Sequence, residues 1–339
     1  MGDFFRNLVD DLKDEDTSIA ADGLGAAEYT GTVDTGSYIL NAVLSGSLYG
    51  GVPNNKVTAF AGENATGKTF FVLGVVGQFL ADNPTGGIIY YDTEAAVTKN
   101  MMVERGLDPS RVIISEPDTI QKFRSHVVKS LDMYEKTPED SRPPMMLVCD
   151  SLGLLSTEKE IADTLEGKDV RDMTKSQLIK GAFRVITLKC AKLNVPMLVT
   201  NHVYEVIGSY IPMKEMGGGS GLKYAASTIA YLSKRKVRDG TEIIGNEIKV
   251  KMYKSRLAKE NSEVTVSLDY KKGLDRYFGL PDLGEKHGIF KKSGNRLELP
   301  DGSKVYVKAM LKEPEKYIDP YIEQLEEAAQ KEFCYGEIT

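Results

Sequence analysis

The eight-residue loop GENATGKT at positions 62–69 is the feature that most constrains the fold of this chain. The run before it, VTAFA at 57–61, has the length and composition of a buried strand. The run after it, FFVLGVVGQFL at 70–80, fits a buried helix. A glycine-rich turn between a strand and a helix surrounds a phosphate with backbone N–H groups and a helix N-terminus. The sequence therefore predicts a Walker A loop and a bound nucleoside triphosphate.

The residues of this loop differ in their expected contacts. Gly62 and Gly67 let the backbone approach the anion. Lys68 adds a positive charge near the β- and γ-phosphates, and Thr69 offers its hydroxyl to Mg²⁺. We expect a nucleoside triphosphate with Mg²⁺ as the ligand. The predicted nucleotide contacts are Gly62, Glu63, Asn64, Ala65, Thr66, Gly67, Lys68, Thr69 and Phe70.

Two further apolar strands are followed closely by carboxylates. Asp150 closes MMLVCD and precedes Ser151, where a carboxylate can hold Mg²⁺ through its water shell, as in a Walker B motif. Glu94 ends GGIIYYDTE and can orient and deprotonate the water that attacks the γ-phosphate. Asp92 competes for this role, because strand alternation puts both carboxylates on one side. The residues alone leave that choice open.

A polar strand end and a glycine-rich segment lie further along the chain. The strand PMLVTNH at 196–202 ends in Asn201 and His202, whose side chains can sense a γ-phosphate. The next segment, 203–221, contains GGGSG. Three successive glycines suit a mobile loop whose backbone N–H groups contact phosphates, and a plain flexible loop is the alternative.

Alternating strands and helices predict an α/β fold with a mainly parallel sheet. Segments 241–253 and 261–270 alternate more and predict antiparallel additions at its edge. We expect three parts: an N-terminal helix and linker over 1–32, the core over 33–270, and a small helix-and-hairpin module with an acidic tail over 271–339. The predicted core strands are 57–61, 87–92, 112–114, 145–149, 196–200 and 228–232, with helices at 3–13, 119–134, 174–193 and 317–332.

The formal net charge of −6 is unevenly distributed. Residues 1–34 carry nine acids and two bases, and residues 313–339 carry eight acids and two bases. Residues 223–259 carry ten Lys or Arg and three acids. A basic middle permits local anion binding despite the acidic total, and a solvated, lysine-rich strand pair is the alternative for part of it.

Composition excludes several classes of protein. No apolar run approaches the ~20 residues of a membrane span. The acidic, amphipathic first residues do not fit a secretory signal. Cys149, Cys190 and Cys334 lack metal-ligand spacing. We expect a cytoplasmic protein.

The motifs resemble those of the RecA-type recombinases in order and spacing. They are GENATGKT, YDTE, LVCDSLGLL, PMLVTNHVYEVI, MGGGSGLKYAAS and MYKSR. Within that family, the NH pair and the segments SLGLLSTEKEIADTL and GLDRYFGLPDLGEKHGIF are most similar to the UvsX recombinases of T-even-like phages. The resemblance covers about residues 34–279 and implies a RecA-like P-loop ATPase core.

The resemblance also implies roles for matching positions. Glu94 resembles the water-activating glutamate, which favours it over Asp92, and His202 stands at the nucleotide-sensing position. Lys254 and Arg256 resemble two basic residues that reach the nucleotide of the adjacent subunit. The implied catalytic residues are Glu94, Lys68, His202, Lys254 and Arg256. Thr69 and Asp150 are the implied metal ligands, and Met101 stands where bacterial members pack a tyrosine on adenine.

Two segments resemble the DNA-contacting loops of the family. They are residues 157–171, followed by Lys175, and residues 203–219. The implied DNA contacts are Lys175, Gly218, Gly219 and Ser220, with sequence-independent binding to phosphates.

The implied activity is that of an ATP-dependent DNA strand-exchange recombinase acting in homologous recombination, DNA repair and replication. It would form helical filaments on single-stranded DNA, pair them with double-stranded DNA, and hydrolyse ATP to ADP and phosphate at subunit interfaces. A single-strand-binding protein and a loader are expected partners, and a membrane is not. The alternatives are a ring helicase on the same core, an ATP-switched DNA-binding scaffold and, more remotely, a P-loop small-molecule kinase.

Overall fold

The computed structural model describes residues 2–13, 17–22, 26, 28–168, 172–205, 214–217, 220–239, 241–269 and 273–336. Across these ranges, no helix combines the length and the apolar character that a membrane crossing requires. The α-helices are α1 (Gly2–Leu12), α2 (Tyr38–Ser45), α3 (Lys68–Asp82), α4 (Lys99–Glu104), α5 (Ile120–Lys136), α6 (Glu158–Leu165), α7 (Lys175–Lys192), α8 (Ser220–Ala225), α9 (Leu280–Lys286), α10 (Val307–Met310), α11 (Pro314–Tyr317) and α12 (Ile322–Phe333).

The strands fall into three sheets within the described ranges. They are β1 (Thr32–Val33), β2 (Val52–Pro53), β3 (Val57–Gly62), β4 (Gly87–Asp92), β5 (Val112–Ser115), β6 (Met145–Asp150), β7 (Met197–Glu205), β8 (Lys214–Met216), β9 (Thr228–Asp239), β10 (Glu242–Lys254), β11 (Glu263–Asp269), β12 (Gly273–Leu274), β13 (Lys291–Ser293), β14 (Arg296–Glu298) and β15 (Lys304–Val305).

The central sheet runs in the order β12-β11-β10-β9-β3-β7-β6-β4-β5, with β8 paired to β7. The strands from β9 to β5 pair in parallel. The strands β10, β11 and β12 continue the sheet in antiparallel pairing. The predicted α/β class and the antiparallel additions at one edge are therefore confirmed.

The carboxyl ends of the parallel strands meet at one edge of the sheet. Gly62 at the end of β3 pairs with His202 in β7. Asp92 at the end of β4 pairs with Asp150 at the end of β6. This register collects the polar residues that follow each buried strand into one place, which we call the carboxyl edge.

Alternate residues of the core strands contact opposite hydrophobic layers. One layer contains Phe60, Tyr90 and Val148 together with the buried face of α3. The other contains Ala59, Tyr91 and Cys149 together with α5 and α7. Because both faces are covered by helices, the strands β3, β4 and β6 are mainly apolar up to their carboxyl ends.

The C-terminal segment packs on the same core. Leu283, Phe290, Leu325 and Phe333 are buried in the layer that contains α2, α3 and the antiparallel strands. The strands β14 and β15 form a hairpin, as the predicted module requires, and its turn is closed by hydrogen bonds between Leu299 and both Gly302 and Ser303. The division into parts at 32 and 270 stays a prediction.

Four predicted boundaries differ from the structure. The strand expected at 228–232 continues to Asp239 as β9. The segment 157–168, expected as a loop, contains α6, whose N-terminus is closed by a capping box between Thr157 and Glu160. The helix expected at 317–332 starts only at Ile322, because Pro320 lacks the N–H that a helix interior needs. The strand β7 continues through residues 203–205, where a loop was expected, and pairs there with β8.

Candidate active site

The Walker A loop joins β3 to α3 at the carboxyl edge. Gly67 precedes α3 with φ of 92°, a conformation that side-chain-bearing residues rarely adopt. A Cβ atom on Gly62 would lie 2.9 Å from the carbonyl oxygen of Leu232. Thr66 Oγ1 donates a hydrogen bond of 2.6 Å to the carbonyl oxygen of Glu63, which closes the turn. The local geometry therefore requires both glycines.

The loop has an exposed tip and a partly buried base. Glu63, Asn64 and Ala65 are exposed, whereas Thr69 and Phe70 in the first turn of α3 are half-buried. The tip carries carbonyl oxygens that already accept hydrogen bonds, from Lys68 at Glu63 and from Lys234 at Ala65. The position of Thr69 places its hydroxyl in the helix turn that begins at the loop.

Lys68 is the first residue of α3 and is buried. Its Nζ donates to the carbonyl oxygen of Gly62 at 3.1 Å and to that of Glu63 at 3.0 Å. Burial lowers the pKa of Lys68, and the carboxylates of Glu94 and Asp150 act in the opposite direction. The ammonium group is therefore held inside the loop, with two carboxylates nearby.

The turns after β4 and β6 are joined by the side chain of Thr93. Its hydroxyl donates to the carbonyl oxygen of Ser151 at 2.7 Å and accepts from the backbone N–H of the same residue at 3.0 Å. The backbone N–H of Thr93 donates to the carbonyl oxygen of Asp150 at 2.8 Å. These bonds fix the spacing between the two carboxylate-bearing turns.

Asp92 and Glu94 have different surroundings. The carboxylate of Asp92 is buried and accepts from the backbone N–H groups of Glu94 at 3.0 Å and Val97 at 2.9 Å. It therefore stabilises its own turn. Glu94 lies beyond the end of β4, so the alternation that predicted a shared side does not extend to it.

The carboxylate of Glu94 faces two polar side chains. Its Oε1 accepts from Ser151 Oγ at 2.8 Å and lies 3.0 Å from His202 Nε2. The other ring nitrogen of His202, Nδ1, lies 3.4 Å from Lys68 Nζ. The structure thus brings three predicted catalytic residues, Glu94, His202 and Lys68, into one chain of contacts.

Asp150 is held from both sides of its strand. Tyr90 Oη donates to Asp150 Oδ2 at 2.7 Å, and Thr200 Oγ1 donates to Oδ1. All three side chains are buried. Burial and the charge of Asp150 raise the pKa of the Tyr90 hydroxyl well above its ordinary value, so this group is a donor.

The donors at the carboxyl edge suit Mg²⁺. Asp150 offers carboxylate oxygens and Thr69 a hydroxyl oxygen, and Mg²⁺ prefers oxygen ligands while keeping several waters. The described residues contain no group of three or more His, Cys, Asp or Glu side chains arranged to hold a metal by themselves. An ion here would therefore be shared between the protein, water and substrate phosphates.

The predicted base-contacting residue, Met101, lies outside the Walker A loop. It is in α4, which is capped by Thr98, and it packs against the core layer that includes α3. Arg105 donates from Nη1 to the carbonyl oxygen of Met101 at 3.2 Å, and its guanidinium lies 4.3 Å from the ring centroid of Phe70. Arg105 thus brings Met101 and Phe70, two predicted nucleotide contacts, to one surface.

Lys254 and Arg256 lie away from the Walker A loop of their own chain. Lys254 pairs with Ile229 of β9. Its Nζ donates to the carbonyl oxygens of Lys223 at 2.7 Å and Ala226 at 2.7 Å, at the end of α8. Burial lowers the pKa of Lys254, and the charge of Arg256 adds to this effect.

Arg256 is close to the amino end of β3, because Lys254 of β10 pairs with Ile229 of β9 and Ile229 pairs with Ala59 of β3. Burial lowers the pKa of Lys56, which precedes β3, and the charge of Arg256 lowers it further. The six residues of β3 span roughly 20 Å between Lys56 and the Walker A loop at about 3.3 Å per residue. The exposed guanidinium of Arg256 therefore lies at the opposite end of the sheet from Lys68.

The predicted DNA contacts are only partly described. Gly218 and Gly219 lie outside the described residues, and Ser220 is the first residue of α8. Lys175 begins α7, and its Nζ lies 3.7 Å from Glu160 Oε2. The structure does not bring Lys175 into contact with the Walker A loop.

Sequence reasoning missed Tyr90, Thr93 and Thr200, which hold the two turns and Asp150. Strand alternation gave a signal for Tyr90, which shares a sheet face with Asp92. The contact itself depends on strand order, because β4 and β7 flank β6. That order is not readable from these residues alone.

Comparisons with known proteins show which sequences this chain resembles. A family model, the RecA N-terminal domain, matches residues 15–275. A recombination and repair protein of Enterobacteria phage T4 is 31% identical over 257 residues, which cover 76% of this chain and 64% of the phage protein. The chain thus spans less than two thirds of that relative. The RecA proteins of Rhizobium leguminosarum bv. viciae and Paenarthrobacter aurescens are 28% and 27% identical, over 78% of this chain and 71% and 72% of their own lengths.

Proposed function

The chain belongs to the RecA family, whose N-terminal domain model matches residues 15–275, and on that premise we propose that it is an ATP-dependent DNA strand-exchange recombinase. It would assemble on single-stranded DNA, pair that strand with homologous double-stranded DNA and hydrolyse ATP between subunits. The observation that carries the proposal is the contact chain from Lys68 through His202 to Glu94 beside the Walker A loop.

The residues of the carboxyl edge would divide the hydrolytic work. Glu94 would accept a proton from the attacking water, which forms a bond to the γ-phosphorus as the bond to the β-γ bridging oxygen breaks. Ser151 and His202 hold the carboxylate of Glu94 in place for this transfer. Lys68 would exchange its carbonyl partners for phosphate oxygens.

Mg²⁺ would supply charge that neutralises the phosphate oxygens during transfer. Thr69 and Asp150 would hold it, as the oxygen donors at the carboxyl edge permit. Phe70 and Met101 would contact the base side of the nucleotide, where Arg105 brings them together.

A second subunit would complete the site. Arg256 lies at the far end of β3 from the Walker A loop of its own chain, so it would serve the nucleotide of a neighbour. Lys254, two residues earlier, would act with it. An added cation at the γ-phosphate spreads the charge that develops in the transition state. Hydrolysis would then depend on assembly.

The N-terminal helix α1 offers a means of assembly. Its apolar side chains Phe4, Phe5, Leu8 and Leu12 are 43–66% exposed in the single chain. A helix that exposes such a face gains stability by burying it against another surface. We propose that α1 packs on the adjacent subunit of the filament.

DNA would bind through sequence-independent contacts. Lys175 and the segment 218–220 would contribute to this surface. Exposed bases on β9 and β10, namely Lys234, Arg235, Lys236, Lys249 and Lys251, would add positive charge. In the single chain, Arg235 is paired with Glu247, and Lys249 and Lys251 are paired with Glu263. Contacts of lysine and arginine to phosphates give affinity that falls as the salt concentration rises.

A strand-exchange assay tests the proposal. Circular single-stranded DNA and homologous linear duplex are incubated with the protein, ATP and Mg²⁺, and joint molecules are followed by gel electrophoresis. We expect joint molecules with homologous duplex and none with heterologous duplex or without ATP. ATP-dependent unwinding without pairing would favour a ring helicase, and ATP-dependent DNA binding without either would favour a scaffold.

A single-strand-binding protein and a loader are proposed to assist filament assembly in the cytoplasm.

A further inference from the structure

Both carboxylate oxygens of Asp150 accept a hydrogen bond from a neighbouring strand. Tyr90 Oη donates to Oδ2 from β4, and Thr200 Oγ1 donates to Oδ1 from β7. The strand order β7-β6-β4 places these strands on either side of β6, which carries Asp150. We call Tyr90 and Thr200 the hydroxyl pair.

The three side chains share the face of the sheet that carries α3. Strand alternation puts Tyr90 with Ile88, Asp150 with Val148 and Thr200 with Leu198, all in the layer that packs against α3. The first turn of α3 contains Thr69, the other proposed ligand of Mg²⁺. The hydroxyl pair therefore holds the carboxylate on the side of the sheet where the ion would lie.

The hydroxyl pair restricts the orientation of the carboxylate. A carboxylate has about four lone-pair positions, so one hydrogen bond to each oxygen leaves roughly one free position on each. Two opposed donors also prevent the group from rotating about its Cβ–Cγ bond. The remaining acceptor positions then have one fixed direction.

Packing alone does not require these hydroxyls. Phe and Val have nearly the shapes of Tyr and Thr, and both would fit a buried apolar strand position. Each hydroxyl carries a desolvation cost that its bond to Asp150 offsets. A role at the carboxylate accounts for both groups.

We propose that Tyr90 and Thr200 are positioning residues that orient Asp150 toward the water shell of Mg²⁺ and so set the affinity of the site for the metal. The inference rests on the proposed role of Asp150 as a metal ligand. Neither residue touches the nucleotide in this account. Their loss therefore raises the Mg²⁺ concentration that metal-dependent nucleotide binding requires, without changing metal-free binding.

The experiment measures binding of a fluorescent ATP analogue as Mg²⁺ is titrated, and again with EDTA. The variants are Tyr90→Phe, which removes only the hydroxyl, and Thr200→Val, which replaces the hydroxyl with a methyl group. We expect the Mg²⁺ concentration at half-saturation to rise by about tenfold in each, the lower end of the effect of losing a partner of a metal ligand. Affinity in EDTA stays at the wild-type value.

Matched controls separate this role from stability. Tyr91→Phe removes the adjacent buried tyrosine hydroxyl on the opposite sheet face. Thr58→Val removes a buried threonine hydroxyl at the far end of β3. Both controls keep the wild-type Mg²⁺ dependence. Thr200→Ser retains a hydroxyl and restores the dependence that Thr200→Val loses.

Each outcome has one interpretation. Wild-type binding that is independent of Mg²⁺ would contradict the proposed metal role of Asp150 itself. A wild-type Mg²⁺ dependence that Tyr90→Phe and Thr200→Val both retain would overturn the positioning role alone. If one variant fails to fold, as judged by circular dichroism, the other together with Thr200→Ser decides the question.

Discussion

The ring nitrogen Nε2 of His202 lies 3.0 Å from Oε1 of Glu94 at the carboxyl edge of the sheet. The two residues are 108 positions apart in sequence, and the parallel pairing of β3 with β7 brings the histidine to the Walker A loop. This contact joins the proposed base to a side chain that also faces Lys68. A change at the phosphate would therefore reach Glu94 through a single residue.

Replacing Glu94 by Gln should separate binding from turnover. The amide keeps the shape of the side chain but cannot take a proton from water. We expect phosphate release in the presence of single-stranded DNA to fall by about a hundredfold or more, with ATP-analogue affinity unchanged. Undiminished turnover in Glu94→Gln would exclude it as the base and return attention to Asp92.

Replacing Lys68 by Ala should weaken nucleotide binding, because the ammonium group that would contact the phosphates is lost. Hydrogen bonds to charged groups contribute about 1.5–3 kcal/mol, so ATP-analogue affinity is expected to fall by about tenfold to a hundredfold. Fluorescence titration measures the change. Lys122→Ala, which removes an exposed lysine paired with Asp118, is the control and should bind as wild type. Equal affinities of the two variants would show that Lys68 does not contribute to nucleotide binding.

Mixing two inactive variants tests whether Arg256 acts on a neighbouring subunit. Lys68→Ala retains Arg256, and Arg256→Ala retains Lys68. In an equal random mixture, half times half, or about a quarter, of the head-to-tail interfaces combine the two intact groups. We expect each variant alone to release little phosphate and the mixture to recover activity toward that fraction. A mixture as inactive as its components would contradict the shared site.

Replacing Arg256 tests this interface with less effect on folding than replacing Lys254. Lys254 donates to the carbonyl oxygens at the end of α8, so its removal also leaves those acceptors without their donor. We expect Lys254→Met to lower the melting temperature without nucleotide, and Arg256→Met to leave it nearly unchanged. Thermal unfolding of both variants measures the difference. A lower melting temperature in Arg256→Met alone would reverse these assignments.

Asp172 gives a prediction for acid stability. Its carboxylate accepts from Thr157 Oγ1 at 2.7 Å and from the backbone N–H and hydroxyl of Thr174 at 2.9 and 2.7 Å. These bonds lower its pKa from 3.8 to about 2. A lowered pKa in the folded state stabilises the fold above about pH 4, and this contribution is lost as the pH falls toward about 2.

The variant Asp172→Asn should therefore melt at a lower temperature than wild type near neutral pH. The difference should shrink as the pH falls from about 4 toward 2, because the wild-type carboxylate becomes neutral too. Asp140→Asn, at an exposed position, is the control. A difference that is constant over this pH range would show that the amide disturbs packing and that charge is not the cause.

The sequence predicted the elements that local chemistry determines. The Walker A loop, the apolar strands and α7 follow from glycine positions, composition and periodicity, and apart from the longer β9 the structure has them within a few residues. The carboxylates Asp150 and Glu94 were found because each closely follows a buried strand. Their partners could not be found in this way, because Tyr90 and Thr200 come from strands that only the sheet order brings beside β6.

Two differences between the sequence-based predictions and the structure have causes that can be identified. The capping box at Thr157 and Glu160 is visible in the sequence and predicts α6, but the family resemblance favoured a loop there. Asp92 and Glu94 were placed on one side by extending strand alternation past the end of β4. Where a strand ends depends on its neighbours, so the choice between these carboxylates needed the resemblance.

The most direct test of the account is phosphate release from ATP, with and without single-stranded DNA, over a range of protein concentrations. An active site completed by Arg256 of a neighbour on DNA requires strong stimulation by DNA and a rate that rises more steeply than protein concentration. We predict that result. Equal rates without DNA, or a rate that is linear in protein concentration, would mean that one subunit contains the whole site, and would contradict the account.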